Sequence, residues 1–225
     1  MTSASGSQMH GVFVTGTDTG VGKTVVAAAL VAALRVLGER VATLKPVLTG
    51  TDEPSDPVWP PDDELLGARV ARRFGPPVSP HLAAELAGAP IDPAELIALA
   101  RKAAGKADVV VVEGIGGILV PITPGYLVRD YARELGLPLV VAARPGLGTI
   151  NHTLLTLEAA RAVALDVRVV VMTPWPDQPS LMERSNHETI ERLGAVRVLT
   201  LPRLPHPDEH LLAEAGAPLA VALWA

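Results

Sequence analysis

The 225-residue sequence contains no cysteine. Disulfides, thiolate nucleophiles and cysteine-ligated zinc sites are excluded together, and the absence is compatible with a reducing cytoplasm, the compartment expected for this chain. Aromatic residues are scarce, at 3%, so the core has to be assembled from Ala, Val and Leu. Long apolar runs are missing too. The longest, Val25 to Leu34, has ten residues, whereas a spanning helix needs about 20, so no membrane segment is expected. Basic residues are not in excess: 19 Lys and Arg stand against 24 Asp and Glu, a net charge of −5. That balance counts against a dedicated nucleic-acid binder, and no nucleic-acid partner is expected. The first ten residues, MTSASGSQMH, have neither a basic start nor an apolar stretch. Residues 1–10 therefore read as a flexible polar lead-in and not as a secretory signal.

Apolar residues at 48% exclude global disorder. The 20 glycines and 21 prolines have no period, which excludes a collagen-like chain. The pattern alternates short Val-rich strands with helical stretches. Gly11–Thr15, Val41–Leu44, Asp108–Val112, Pro138–Ala143, Val167–Met172 and Val196–Leu201 read as strands. Thr24–Leu37, Asp63–Phe74, Tyr126–Leu135 and Ile150–Ala164 read as helices. Another helix opens at Asp92-Pro93-Ala94-Glu95, with Asp at the N-cap, Pro in the first position and Glu three residues after the cap. Uninterrupted apolar strands interleaved with helices are buried on both faces, which predicts a mostly parallel sheet with helices packed on each side. The breaks at Asp52–Asp63 and Pro76–Pro80 do not resemble linkers, because the alternation resumes after both. Residues 11–225 are therefore expected to form a single domain.

The strongest local signal is GTDTGVGKT, Gly16 to Thr24, between a strand and a helix. A glycine-rich turn lets successive backbone N–H groups converge on phosphate oxygens, and the helix that follows adds the positive end of its dipole. In this pattern Lys23 reaches the terminal phosphates and the Thr24 hydroxyl ligates Mg²⁺. Five residues rather than four separate Gly16 from Gly22, and Thr17 stands where the usual first glycine would fall. The fold expected is accordingly an α/β, P-loop NTPase-like open sheet with helices on both faces. Glu113 ends the run DVVVVEG. At the carboxyl end of a parallel strand, a carboxylate is placed to hold Mg²⁺ directly or through water. Asp62 and Asp63 precede a helical pattern and suit either an N-cap or the metal. Lys45, at the end of the second strand, is a candidate for neutralising charge on a substrate.

Four motifs together resemble the ATP-dependent dethiobiotin synthetase family. They are strand-GTDTGVGKT-helix, Lys45-Pro46-Val47-Leu48-Thr49-Gly50, Val112-Glu113-Gly114-Ile115-Gly116-Gly117 and Gly148-Thr149-Ile150-Asn151-His152, in the family's order. The resemblance covers roughly the first two-thirds of the chain. It implies closure of a ureido ring from 7,8-diaminononanoate, CO₂ and ATP with Mg²⁺, through a carbamate and a carbamic–phosphoric anhydride. Both reacting partners are anions, so the site must supply positive charge. By the resemblance Lys23 and Lys45 supply it, and Thr24, Asp63 and Glu113 hold the metal, although spacing does not separate Asp63 from Asp62. The resemblance also implies that Thr19, Gly20, Val21, Gly22, Lys23, Thr24, Glu113, Gly116, Thr173 and Pro174 bind the nucleotide. Thr49, Gly116 and Gly117 face the diamine. Gly148, Thr149 and Asn151, at a helix start, anchor the substrate carboxylate from a neighbouring subunit, which implies a homodimer. One departure stands out: Thr173-Pro174-Trp175-Pro176-Asp177 lacks the Asn with which family members often read adenine. The base is then left to backbone groups or to Trp175, and other triphosphates can substitute.

Two other classes compete. A nucleotide-driven switch of the partitioning or scaffold-loading type often carries an extra lysine early in its phosphate loop, and Gly16 to Thr19 contain none. A ligase that amidates a different carboxylate, such as a corrinoid precursor, commonly draws ammonia from a glutaminase with a cysteine nucleophile, which this chain lacks.

Overall fold

The central strands of this chain bury one residue upward and the next downward, and that alternation sets the architecture. A computed structural model describes residues 9–54 and 56–224. The strands are β1 (Gly11–Gly16), β2 (Val41–Thr49), β3 (Arg69–Phe74), β4 (Val109–Gly117), β5 (Pro121–Thr123), β6 (Tyr126–Leu127), β7 (Leu139–Ala143), β8 (Val167–Trp175) and β9 (Arg197–Pro202). The helices are α1 (Lys23–Val36), α2 (Asp62–Leu66), α3 (Pro80–Leu86), α4 (Pro93–Ala104), α5 (Val128–Leu135), α6 (Thr149–Arg161), α7 (Leu181–Gly194) and α8 (Glu209–Trp224). Seven strands form one parallel sheet in the order β3-β2-β4-β1-β7-β8-β9. β5 and β6 form a small antiparallel pair beside it.

Val12, Val14, Val109, Val111, Val140 and Val169 face a core shared with α1 and α8. The intervening residues Phe13, Val110, Val112 and Leu139 face a second core built with α3, α4 and α5. Val141, Val170 and Met172 meet α6 and α7. Helices thus cover both faces of the sheet. α1 and α8 pack closely because both are rich in small residues: a Cβ added at Gly216 would sit 2.0 Å from the Ala29 carbonyl oxygen.

The sheet reproduces the expected strands, with differences where tertiary pairing intervenes. β2 runs on to Thr49, because the edge strand β3 pairs with it through that residue. Pro46 is tolerated because pairing of β2 with β4 ends at Leu44↔Val112. The helical pattern over Asp63–Phe74 resolves instead into the five-residue α2 and then β3. Gly67, at φ 59°, stops α2, and the arginines of β3 keep the exposed sheet edge polar. Asp92 caps α4 as expected, accepting from the Ala94 N–H at 2.9 Å. Glu95 does not complete a reciprocal cap; it pairs with Arg72 of β3. Tyr126 and Leu127 belong to β6, and only from Val128 is the segment helical. α3, α7 and α8 are additional to the expected helices; at α7 the signal is Ser180-Leu181-Met182-Glu183, which forms a capping box. Of the expected lead-in, residues 1–8 lie outside the described residues. His10 is fastened to the body: its carbonyl accepts from Val110 at 2.9 Å and its ring accepts from the Trp224 indole at 2.8 Å. Among the described residues, no helix is long and apolar enough to cross a membrane.

Candidate active site

The register of β2 on β4 decides the site. Leu44 lies opposite Val112, and pairing between the two strands ends there. The next residues, Lys45 and Glu113, emerge side by side where the strands separate. On the other side β4 pairs with β1, whose end at Gly16 leads into the glycine-rich turn and α1. Lys45 Nζ donates to Glu113 Oε1 at 2.8 Å, and Thr24 Oγ1 donates to the same oxygen at 2.9 Å. Lys45 also bonds Asp62, in the first turn of α2. Lys23 Nζ, at the start of α1, donates to the carbonyl of Asp18 at 2.9 Å.

These groups are withdrawn from water. Glu113 is 1% exposed, Lys45 5% and Lys23 7%. Burial pushes the Glu113 carboxyl above its ordinary range, against the pull of Lys45. Burial works to lower Lys45, but the carboxylates of Glu113 and Asp62 outweigh it and hold the ammonium above its ordinary value. Burial pulls Lys23 down, opposed by the attraction of Glu113 and reinforced by the repulsion of Lys45. Lys45 is thus compensated by its two carboxylates, whereas Lys23 has a backbone carbonyl as its hydrogen-bond partner. A cleft that holds both ammonium groups is complementary to an anion carrying several charges.

The glycine-rich turn has the backbone that a phosphate cradle needs. Gly20 and Gly22 are left-handed, at φ 67° and 90°. A Cβ at Gly22 would lie 2.6 Å from Thr173 Cγ2, so glycine is required there twice over. Thr173 is thus in contact with the turn at the end of β8, next to the exposed Pro174. Thr19 lies near Gly116, whose Cβ position is 3.4 Å from the Thr19 hydroxyl. Val21 is buried beneath the turn.

Thr49 and Gly117, both expected at the diamine, line different cavities. Thr49 lines one of about 420 Å³ together with Trp59, Asp62 and Asp63. Gly117 lines another of about 440 Å³ together with Asp18, Leu119, His152 and Leu155. Gly148 is the N-cap of α6, Thr149 is buried in its first turn, and Asn151 is exposed beside it. Trp175 packs edge-on against His187, with ring centroids 5.9 Å apart.

The acidic pair at the start of α2 makes two different ion pairs. Asp63, expected on the metal, is paired with Arg73 of β3, whose hydrogen bond holds its carboxyl below the usual carboxylate range. Asp62 is the one that reaches Lys45. The two point apart because consecutive residues in the first turn of a helix diverge by about 100°. The remaining acceptor, Glu113 Oε2, is buried with no hydrogen-bond partner among the described residues. That oxygen, the Thr24 hydroxyl and the α2 carboxylates are hard-oxygen groups, the chemical type that Mg²⁺ takes as ligands.

Two contacts at the turn carry no sequence signal. The Thr19 N–H donates to Asp18 Oδ1 at 2.7 Å, and Arg144, following β7, donates to the Thr19 carbonyl at 3.0 Å. The Arg144 contact spans 125 positions, which no local pattern records.

A parallel sheet ending in a glycine-rich turn, a helix N-terminus and buried lysines defines a P-loop nucleoside-triphosphatase-type protein. In agreement, the cell division ATPase MinD of Pyrococcus furiosus is similar in structure, with a TM-score of 0.56 over 96% of this chain and 97% of that chain. At 18% identity the likeness concerns the fold alone. A family described as an AAA domain matches residues 10–210. The ATP-dependent dethiobiotin synthetase BioD of Mycobacterium sp. (strain KMS) is 43% identical, covering 84% of this chain and 86% of that protein. The enzyme of the same name from Anaeromyxobacter dehalogenans (strain 2CP-1) is 46% identical, covering 77% of this chain and 81% of that protein. The chain belongs to the ATP-dependent dethiobiotin synthetase family, a family of ligases of biotin biosynthesis. The rival reading as a partitioning-type switch has only the distant fold likeness behind it.

Proposed function

We propose that this enzyme closes the ureido ring of dethiobiotin from 7,8-diaminononanoate, CO₂ and ATP. The observation that carries the reading is the buried cluster Lys23, Thr24, Lys45 and Glu113 at the sheet end beside the glycine-rich turn. One amine of the diamine attacks CO₂ and loses a proton to give a carbamate. A carbamate oxygen then attacks the γ-phosphorus, and the bond to the β–γ bridging oxygen breaks to release ADP. The second amine attacks the carbamoyl carbon of the resulting mixed anhydride, loses a proton and expels phosphate as the ring closes. Carbamate and triphosphate repel each other, and Lys23 and Lys45 offset that repulsion with charge that is already in place before reaction. Groups of this kind are individually worth about 10²–10³ in rate.

Thr24, Glu113 and the acidic start of α2 would hold Mg²⁺, which when bound supplies further positive charge to the terminal phosphates. The geometry favours Asp62 as the α2 ligand, and the resemblance favours Asp63. Thr19, Gly20, Val21 and Gly22 would direct backbone N–H groups to the phosphates, with Gly116 and Thr173-Pro174 around the nucleotide. Thr49, Gly116 and Gly117 would border the diamine.

The first turn of α6, with Gly148, Thr149 and Asn151, would anchor the carboxylate of a diamine bound to a second copy of this chain. Exposed Leu119, Leu147 and Leu155 around that turn and its cavity support a homodimer there.

The test is to incubate the purified protein with diaminononanoate, bicarbonate, Mg²⁺ and each nucleoside triphosphate, and to assay dethiobiotin by mass and phosphate release in parallel. Phosphate release is expected to require both diamine and bicarbonate. Hydrolysis that ignores both but responds to protein or DNA would favour the switch reading.

A further inference from the structure

The glycine-rich turn is held on its inner limb by the sheet: Thr17 donates its N–H to the Ala142 carbonyl at 3.0 Å. Its outer limb, Asp18 to Gly20, is exposed. Two side chains from other elements hydrogen-bond this limb: Lys23 of α1 reaches the Asp18 carbonyl at 2.9 Å, and Arg144 donates through Nη2 to the Thr19 carbonyl at 3.0 Å. The same Arg144 nitrogen lies 4.0 Å from Asp18 Oδ2, and 4.0 Å from where a Cβ on Gly20 would stand. The backbone beside Arg144 is itself secured. Asn186, a buried amide on α7, donates from Nδ2 to the carbonyls of Pro145 at 2.9 Å and Gly146 at 3.3 Å. A continuous strut therefore runs from α7 through the β7–α6 loop to the peptide between Thr19 and Gly20.

We infer that Arg144 is a positioning residue for the nucleotide, and that Asn186 acts through it. The inference rests on the function proposed above. The peptide whose carbonyl Arg144 holds is the one whose N–H belongs to Gly20. Fixing the carbonyl outward fixes that N–H inward, toward the phosphates. Without the strut, a glycine-flanked peptide rotates freely, and its ordering has to be met at the moment of binding. The effect therefore falls on nucleotide affinity and not on the chemical step. Its size is that of one partly exposed hydrogen bond from a charged donor, about 5- to 10-fold in affinity.

The test uses the full-length enzyme and Mg·ATP as the probe, with calorimetric Kd, steady-state KM for each substrate, and Tm. Arg144→Ala is expected to raise Kd and KM for ATP about 5- to 10-fold, with kcat and the diamine KM within about two-fold of wild type and an unchanged Tm. Asn186→Ala shifts the ATP constants in the same direction by less. The double variant is no weaker than Arg144→Ala, because both changes break one strut. Arg144→Lys, which retains a donor of similar reach, recovers most of the affinity. Unchanged ATP affinity in Arg144→Ala, a loss confined to kcat, or a double variant whose effects multiply would each overturn the inference. A wild-type protein that binds no triphosphate would refute the proposed function instead.

Discussion

Replacing Lys45 with Met tests the electrostatic reading most directly. The side chain keeps its length, so packing is nearly conserved. Glu113, 1% exposed, then keeps only the Thr24 hydroxyl as a partner. Removing one member of a buried ion pair destabilises by about 3–5 kcal/mol if the survivor stays charged. Glu113 has an escape, because its carboxyl already titrates above its ordinary range and losing Lys45 pushes it further up. The folded variant therefore holds a proton that the unfolded chain has released. With one more proton bound in the folded state, stability falls as pH rises, by about 1.4 kcal/mol per unit, from the ordinary carboxylate range up to the raised pKa. The stability gap between wild type and Lys45→Met should thus widen as pH rises above the ordinary carboxylate range, up to the ceiling set by the charged survivor. Urea unfolding of the ligand-free protein at three pH values measures it. Adding Glu113→Gln to Lys45→Met should close most of the gap and abolish its pH dependence, yet leave turnover lowered by about 10²-fold or more. A gap that is absent or independent of pH, or near-normal turnover in Lys45→Met, would refute the reasoning.

Further outcomes are expected. Gly22→Ala forces a Cβ to within 2.6 Å of Thr173 at φ 90°; triphosphate binding by calorimetry should fall below detection while the fold persists in circular dichroism. Asp62→Asn should weaken the Mg²⁺ dependence of turnover more than Asp63→Asn does, and the reverse order would return the metal to Asp63. The depressed carboxyl of Asp63 stabilises above its unfolded pKa, and that contribution is lost as pH falls through the folded value. Asp63→Asn should therefore flatten the loss of stability below about pH 4. Leu155→Glu, on the face expected to meet a second copy, should shift sedimentation from dimer to monomer and raise the diamine KM; an unaltered dimer would move the interface elsewhere.

Local sequence determines much of this protein because its decisive signals span few residues. A strand, a glycine-rich turn and a helix start are contiguous, so the backbone dictates the phosphate cradle wherever the segment folds. Uninterrupted Val runs allow only a sheet covered on both faces. Lys45 and Glu113 were legible as residues that follow the apolar runs of two parallel strands, but both strands continue past them, and the two meet because β2 and β4 stop pairing at Leu44↔Val112. The segment from Asp63 to Phe74 shows where this logic fails. Leu66, Val70 and Phe74 recur every four residues as in a helix, but Gly67 and the open edge of β2 make the second half a strand. Only the folded chain separates Asp62 from Asp63, because their divergence depends on where Lys45 and Arg73 stand around α2. Likewise the Arg144 contact joins residues 125 positions apart through the packing of α7 against the β7–α6 loop. Periodicity records what a residue does to its neighbours in sequence. Partner choice among charged side chains is settled by register and packing, which belong to the whole sheet.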